Sequence, residues 1–454
     1  MTNTTALTVK NTRTAPLILI LLTLAPAAAA FFTGKTILVL VCLCLPLAFF
    51  LLATPRLSFY LFLLSISLYL PYHLTGFAIH PFDIAFGLLY LSIIIDFFIN
   101  TRTEIRKTGL DAAFVFLIIA TFISAAFAYN FNHSLVPSIR IIIIYLAFRA
   151  VFKMSLELTV RKVILFYIYN VFMLSLINCV IFVMIGGKAR VFGPSWLAFE
   201  IYSITGLPMA LCFFIWARDK AERLKFGFIS LTIIAALLAL QSRGSLVATA
   251  ITIPILLMLA YYKTKKEKTH KSSHNLKRIV LIAAAAAIVV LFFNETLLVG
   301  FFDRVREMLE SLTRPKGTIA LRLVLWEAAI KGFFTSPLVG IGIGNYVYID
   351  QLVPEIKTAP VWYYIRGMSA HNVILQYLCE TGVSGTLALL VVTWLNLKYA
   401  WRNFKLKMTP ENTQISAALF IVIIVFCHSI LYMRAWTWGQ EGYLMTIIFG
   451  LNAA

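Results

Sequence analysis

The sequence predicts an all-α, polytopic helical membrane protein, with about 12–14 transmembrane helices and one large outer (periplasmic) loop that contains amphipathic helices. Three observations carry that prediction. Of 454 residues, 61% are hydrophobic and only 13% are charged, and the mean hydropathy is +0.89. A soluble domain is roughly 45–50% apolar and about 25% charged, so this chain has too little polar surface to cover a water-soluble globule. A cytosolic enzyme, a secreted disulfide scaffold and a disordered chain are excluded. The apolar runs are also continuous rather than alternating, which excludes a closed β-barrel. Finally, the basic residues gather in loops that fall on one side when the spans alternate across a bilayer.

Runs long enough to cross a hydrocarbon core of about 30 Å lie near 15–31, 36–53, 57–71, 83–99, 111–129, 135–152, 162–186, 197–216, 226–241, 243–262, 278–299, 371–398, 413–432 and 436–452. The runs 57–71 and 135–152 are short enough to be re-entrant or interfacial, which gives the lower helix count. The run 15–31 follows Lys10 and Arg13 and ends in Ala27–Ala30. It resembles a signal peptide, but another span follows at once, so it reads as a retained first helix. The chain divides into N-terminal helices (1–299), an outer loop (300–370) and C-terminal helices (371–454).

The formal net charge is +20, from 39 Lys+Arg against 19 Asp+Glu. In a soluble protein that balance would point to nucleic acid. Here loop topology accounts for it, and no nucleic-acid partner is expected. The segment Lys263–Arg278 alone holds seven Lys/Arg. About 25 of the basic residues fall on this side, which the positive-inside rule makes cytoplasmic, together with both termini. The 300–370 loop, with eight basic and six acidic residues, falls on the other side. Cys42, Cys44, Cys179, Cys212, Cys379 and Cys427 all sit in apolar runs, where cysteine behaves as a small hydrophobe. No disulfide is expected.

The outer loop has internal order. Phe301, Phe302, Val305, Met308, Leu309 and Leu312 recur at helical spacing, as in a helix lying on a bilayer surface. A second helix fits Ala320–Phe334, with a Glu327–Lys331 pair one turn apart, and is ended by Pro337, Gly340, Gly342 and Gly344.

Ionisable groups at the outer membrane edge are costly and are therefore candidate site residues. Ser242-Arg243-Gly244 interrupts two apolar runs. Ser242 can cap the following helix, Gly244 permits close backbone approach, and Arg243 beside free amides suits a phosphate. The bland alternative is a helix hairpin with a snorkelling arginine. His371, in Ser369-Ala370-His371-Asn372, begins the run that re-enters the membrane, where a neutral imidazole can accept a proton. The bland alternative is a capping or interfacial histidine. Arg322 is the lone base on an apolar stretch of the second loop helix. Lys188 and Arg190 lie in a short outer loop ahead of Gly193-Pro194-Ser195-Trp196, and Arg140 is a weaker candidate. His73, His80, His133 and His428 read as structural. Glu380 lies nine residues beyond His371, about 13 Å further along one helix. It cannot orient His371 directly, and a pair with another helix is expected instead. Several outer cations, one histidine and no carboxylate cluster suit a lipid-linked substrate with a pyrophosphate leaving group.

Three pieces, in this order, resemble the O-antigen ligase and O-antigen polymerase superfamily. They are Ser242-Arg243-Gly244, then Arg322 through Ala329 with the Pro337–Asn345 turn, then His371-Asn372 running into Glu380-Thr381-Gly382-Val383-Ser384-Gly385. The resemblance covers about 190–390, and it implies an inner-membrane glycosyltransferase with a large periplasmic loop. Such an enzyme moves a glycan from an undecaprenyl-pyrophosphate carrier to a sugar hydroxyl, without a metal, cofactor or nucleotide sugar. It implies that Arg243, Arg322 and, less closely matched, Arg190 hold the pyrophosphate and that His371 is the base. Ser242, Gly244, Asn372 and Glu380 would be supporting residues. The implied partners are the lipid-linked donor, a glycan or lipid A-core acceptor, the bilayer and a chain-length regulator. Pro194-Ser195-Trp196 looks more like the polysaccharide polymerases than the lipid A-core ligases. The alternative of another class is a transporter of glycan lipid or small anions, which an arginine-lined cavity would also serve, although the sequence has no inverted repeat.

Overall fold

The computed structural model describes residues 50–66, 72–74, 77–79, 81–99, 106–184, 196–240, 243–267, 306, 318–359, 363, 366–406, 409–430 and 440–454. The first expected span, nearly all of the second, the span at 278–299 and all but Arg306 of the surface helix expected at 301–312 lie outside these residues.

Twelve helices are introduced in chain order: α1 (Pro55–Ser65), α2 (Pro81–Ile99), α3 (Asp111–Ala126), α4 (Phe131–Leu158), α5 (Val160–Met184), α6 (Trp196–Ile215), α7 (Lys220–Leu240), α8 (Arg243–Glu267), α9 (Thr318–Thr335), α10 (Val373–Lys405), α11 (Pro410–Ile430) and α12 (Gln440–Ala453). Among the described residues, α2, α4, α5, α10 and most of α11 are long and apolar enough to cross a membrane, and α3, α6, α8 and α12 contain shorter apolar helices. The protein is a polytopic helical membrane protein.

One expectation is corrected. The run at 135–152 is neither re-entrant nor interfacial in length. It belongs to the 28-residue α4, about 42 Å long at 1.5 Å per residue. Beside the helices stands a short antiparallel hairpin. Strand β1 (Tyr72–Leu74) pairs with β2 (Phe77–Ile79), Tyr72 opposite Ile79 and Leu74 opposite Phe77. It follows α1, which at 11 residues reaches only about 16 Å and is too short to span.

The chain separates into two compact units. The first comprises Met1–Phe62 with Asp83–Glu104, and the second Leu63–Phe82 with Ile105–Ala454. In the first, Ser92 Oγ donates to the Leu52 carbonyl at 2.8 Å, and the rings of Phe62 and Phe86 lie 5.8 Å apart. In the second, α6 packs on α7 and α11, α5 on α7, α4 on α12, and both α3 and α9 on α10. Phe114 stacks on Phe148 at 4.9 Å between α3 and α4. Gly206 lets α6 approach α5 so closely that a methyl group there would collide with the Val171 side chain.

Charge is organised at the ends of these helices. Arg149 grips Asp111 at 2.7 Å. Arg161, at the start of α5, meets Glu222 at 2.6 Å, Gln414 Oε1 at 2.9 Å and Glu411 at 3.4 Å. Gln414 Nε2 donates to the Trp216 carbonyl at 2.9 Å, so one arginine fastens α5, α7 and α11 beside the end of α6. Glu222 sits in the polar first turn of α7, ahead of the apolar run from Phe226. Burial would raise its pKa, but hydrogen bonds from the Arg218 amide and from the Arg161 and Arg218 guanidinium groups outweigh that and hold it below the usual glutamate value. Lys263, the first base of the Lys263–Arg278 run, is buried and donates to the Leu406 carbonyl at 2.9 Å over the Phe404 ring.

Candidate active site

The Gly-rich turn and the Glu-x-Gly segment form one interlocked piece of backbone. Gly382 breaks the helical path of α10, with φ 63° and ψ −162°. The break frees peptide groups on either side, and the turn after α9 takes them up. The Cys379 and Glu380 carbonyls accept from the Ile341 and Gly342 amides at 3.0 and 2.9 Å. Val383 and Ser384 donate to the Pro337 and Leu338 carbonyls at 2.9 and 3.3 Å. Every broken helical bond named here is replaced, as buried backbone requires. Gly340, at φ 76°, lies against the Glu380 carbonyl, where a methyl group would overlap it.

The corner between α3 and α4 closes the other side of this turn. Tyr129 N donates to the Ile341 carbonyl at 3.0 Å, and Ser134 Oγ to the Ile343 carbonyl at 2.7 Å. Asn345, fully buried, sends its Nδ2 toward Ser134 Oγ and the Ile341 carbonyl, both at 3.1 Å, and toward the Asn130 carbonyl at 3.3 Å. Ser124 Oγ donates to the Glu380 carbonyl at 2.7 Å. His133 packs edge-on against Tyr348 at 5.3 Å, while its amide donates to the capping Asn130 at 3.1 Å. Sequence reasoning missed Ser124, Asn130, Ser134 and Asn345. The only available signal was the polar Asn130-Phe131-Asn132-His133-Ser134 cluster between two apolar runs.

Arg322 and His371 stand on elements of a shared core. Helix α9 matches the expected second loop helix, and Lys331 meets Glu327 at 2.7 Å as predicted. Its inner face, Leu325, Ala328 and Ala329, is buried with Tyr346, Ala370 and Cys379, and Leu321 and Leu375 pack against the same cluster. Arg322 is half-buried beside this face. The Tyr346 hydroxyl donates to the Leu325 carbonyl at 2.5 Å, and burial, with smaller effects of Cys379 and Glu380, keeps its pKa well above the usual phenol value.

His371 is half-buried and holds φ 49°, a left-handed conformation rare outside glycine and asparagine. Asn372 follows in extended geometry and caps α10, accepting from Leu375 N at 3.1 Å. Glu380 is buried, and the partners described for it come from its own helix and from the short turn that follows α9. Its Oε1 accepts from Gln376 Nε2 at 3.0 Å, one turn back on α10, and from the Tyr346 amide at 3.2 Å. The break at Gly382 lets the loop backbone reach the carboxylate. Gln376 Oε1 in turn accepts from the Ala370 amide at 3.3 Å. Asp350, also buried and also missed, meets Arg366 at 3.7 Å and Lys357 at 4.0 Å, fastening the strand that leads to His371.

Arg243 is the first residue of α8 and Gly244 the second, while the side chain of Arg243 lies outside the described residues, as do Ser242, Lys188 and Arg190. Helix α8 packs against α6, α7 and α11. The described residues therefore bring together the neighbourhoods of Arg322, His371, Asn372 and Glu380. Arg140 lies along α4.

Residues 226–390 match the family model described as O-Antigen ligase. That stretch begins in α7, ends within α10 and contains Arg243, Arg322, the Gly-rich turn, His371 and the Glu380–Gly385 segment. A comparison with curated proteins finds no match. Over residues 226–390 this membrane protein is thus similar to the O-antigen ligase family, a likeness that supports the O-antigen ligase and polymerase superfamily.

Proposed function

We propose that the protein is a glycosyltransferase of the bacterial inner membrane that moves a glycan from an undecaprenyl-pyrophosphate carrier to a sugar hydroxyl at the periplasmic face. One observation carries this: a left-handed His371 at the membrane re-entry point, braced by the interlocked turn and sharing a core with the helix of Arg322. The donor lipid enters laterally from the bilayer, and its pyrophosphate lies against Arg243 and Arg322, with Arg190 from the neighbouring outer loop. His371 takes the proton of the acceptor hydroxyl, whose oxygen attacks the anomeric carbon. The bond from that carbon to the pyrophosphate oxygen breaks, and the electron pair leaves with the carrier, where the guanidinium groups offset the charge. A single displacement inverts the anomeric centre. The chemistry uses no metal, cofactor or nucleotide sugar. The basic loops support cytoplasmic termini.

Within this class we favour the polymerase, from Pro194-Ser195-Trp196, with a chain-length regulator as partner. Transfer of finished O-antigen to lipid A-core is the second reading, favoured by the description of the matching family. Glycolipid gels of a deletion strain separate them. A lost polymerase leaves core bearing one repeat unit, whereas a lost ligase leaves bare core and accumulated carrier-linked polymer. In the complemented strain, Arg243→Ala and Arg322→Ala are each expected to lower transfer about 100-fold or more, the order seen when a charge-stabilising donor is removed. Parent-like glycolipid from either variant, at equal membrane abundance, would exclude that arginine from the pyrophosphate site. Glycan-lipid transport without transfer would give no glycosidic product from detergent-solubilised protein.

A further inference from the structure

We propose that Gln376 is a positioning residue for the transfer reaction, acting through the left-handed turn at His371. Gln376 has this role only if His371 is the base proposed above. The Ala370 amide immediately precedes His371 in the chain and is buried. It lies upstream of the Asn372 cap, so the hydrogen-bond ladder of α10 supplies it with no acceptor. The Gln376 carboxamide supplies one, with its Oε1 at 3.3 Å. The other end of the same carboxamide donates from Nε2 to Glu380 Oε1 at 3.0 Å, and that oxygen also accepts from the Tyr346 amide at 3.2 Å. Tyr346 continues the chain, through its hydroxyl, to the Leu325 carbonyl on the helix that carries Arg322. Gln376 is 3% exposed and Glu380 1%.

The position demands an acceptor at one end and a donor at the other. Leucine supplies neither, and glutamate supplies only acceptors. Loss of the carboxamide leaves a buried amide and a buried carboxylate short of partners, and the turn recovers solvation by moving. A displacement of about 1 Å at a reacting group costs on the order of 100-fold in rate. His371 would move while the arginines on α8 and α9 stay, so the loss should fall on turnover and not on donor binding.

The test uses detergent-purified full-length protein and an organic extract of the host's undecaprenyl-pyrophosphate oligosaccharides, titrated by lipid phosphorus. Gln376→Leu is expected to lower kcat about 100-fold with the donor KM within about twofold of the parent. In a His371→Ala background the same change should have no further effect. Gln376→Glu should also be slow, because it sets two carboxyl groups against each other. The double variant Gln376→Glu/Glu380→Gln should recover at least about tenfold of that loss, because residue 376 again accepts from the Ala370 amide and bonds residue 380, with the donor now on residue 380 and only the Tyr346 amide's bond to that atom given up. A general packing role predicts no such recovery. If Gln376→Leu fails to fold, the exchange pair still decides the matter. Parent-like kcat in folded Gln376→Leu, or no recovery in the double variant, would overturn the positioning role while an inert His371→Ala leaves the base assignment standing. A fully active His371→Ala removes both.

Discussion

His371 is the residue on which sequence and structure add most to each other. Its place at the start of a membrane run is legible in Ser369-Ala370-His371-Asn372, and Asn372 caps the helix as that pattern implies. Its left-handed backbone is not legible in that tetrapeptide, where the Ala370 amide just before it bonds Gln376 further along the chain. A non-glycine residue held there costs about 1–3 kcal/mol, a strain found at functional sites more often than elsewhere. Asparagine tolerates this conformation and carries no comparable base. His371→Asn should therefore keep its thermal midpoint within a few degrees while transfer falls by at least about 100-fold, the usual size of a general-base contribution. A folded His371→Asn protein with parent activity would show that the imidazole has no part in proton transfer. Asp350 illustrates the opposite case: its partner Arg366 is sixteen positions away in a stretch without periodicity, so no pattern announces the pair.

At the scale of elements, long apolar periodicity locates helices well. Helix α9 occupies Thr318–Thr335 against an expected Ala320–Phe334, and α10 begins at Val373. Short strands have no period to detect, which is why the three-residue β1 and β2 escaped. The Gly-rich turn and the Glu-x-Gly segment were each visible as motifs, but the exchange of hydrogen bonds between them joins residues some forty positions apart. That exchange explains why glycine stands at 340 and 382. Gly340→Ala and Gly382→Ala should each lower stability by about 1–3 kcal/mol from backbone strain alone, with steric overlap adding to it. Thermal melting followed by size-exclusion chromatography reads this directly. Gly87→Ala, where the added methyl meets nothing, is the control and should melt like the parent. Equal midpoints for all three would contradict the interlocked turn.

For the whole molecule, the net charge of +20 separates into parts with different duties. Much of it is proposed to set topology, yet Arg161, Arg218 and Lys263 are engaged in tying helix ends together. Those partnerships depend on three-dimensional packing, and composition alone could not announce them. Because Glu222 is held below its usual value near 4.5, its bonds stabilise the fold above that pH, and the contribution is lost as pH falls through the lowered value. The parent should therefore lose more thermal stability between pH 7 and pH 4 than Glu222→Gln does. At pH 7 that variant should already be weakened by about 3 kcal/mol, since it leaves Arg161 short of its closest carboxylate. The reverse ordering of the two pH profiles would show that Glu222 is not held as a paired carboxylate. Arg190, Arg243 and Arg322 are the bases proposed to hold the lipid pyrophosphate.

The central claim is transfer chemistry carried by His371 at the outer face. Its most direct measurement is release of free undecaprenyl pyrophosphate, with formation of a glycosidic product, by purified protein in detergent supplied with extracted lipid-linked oligosaccharide. The parent should release carrier in step with product, and His371→Ala should release none above the protein-free control. Product formation by His371→Ala at the parent rate, or none by the parent itself, would contradict the account.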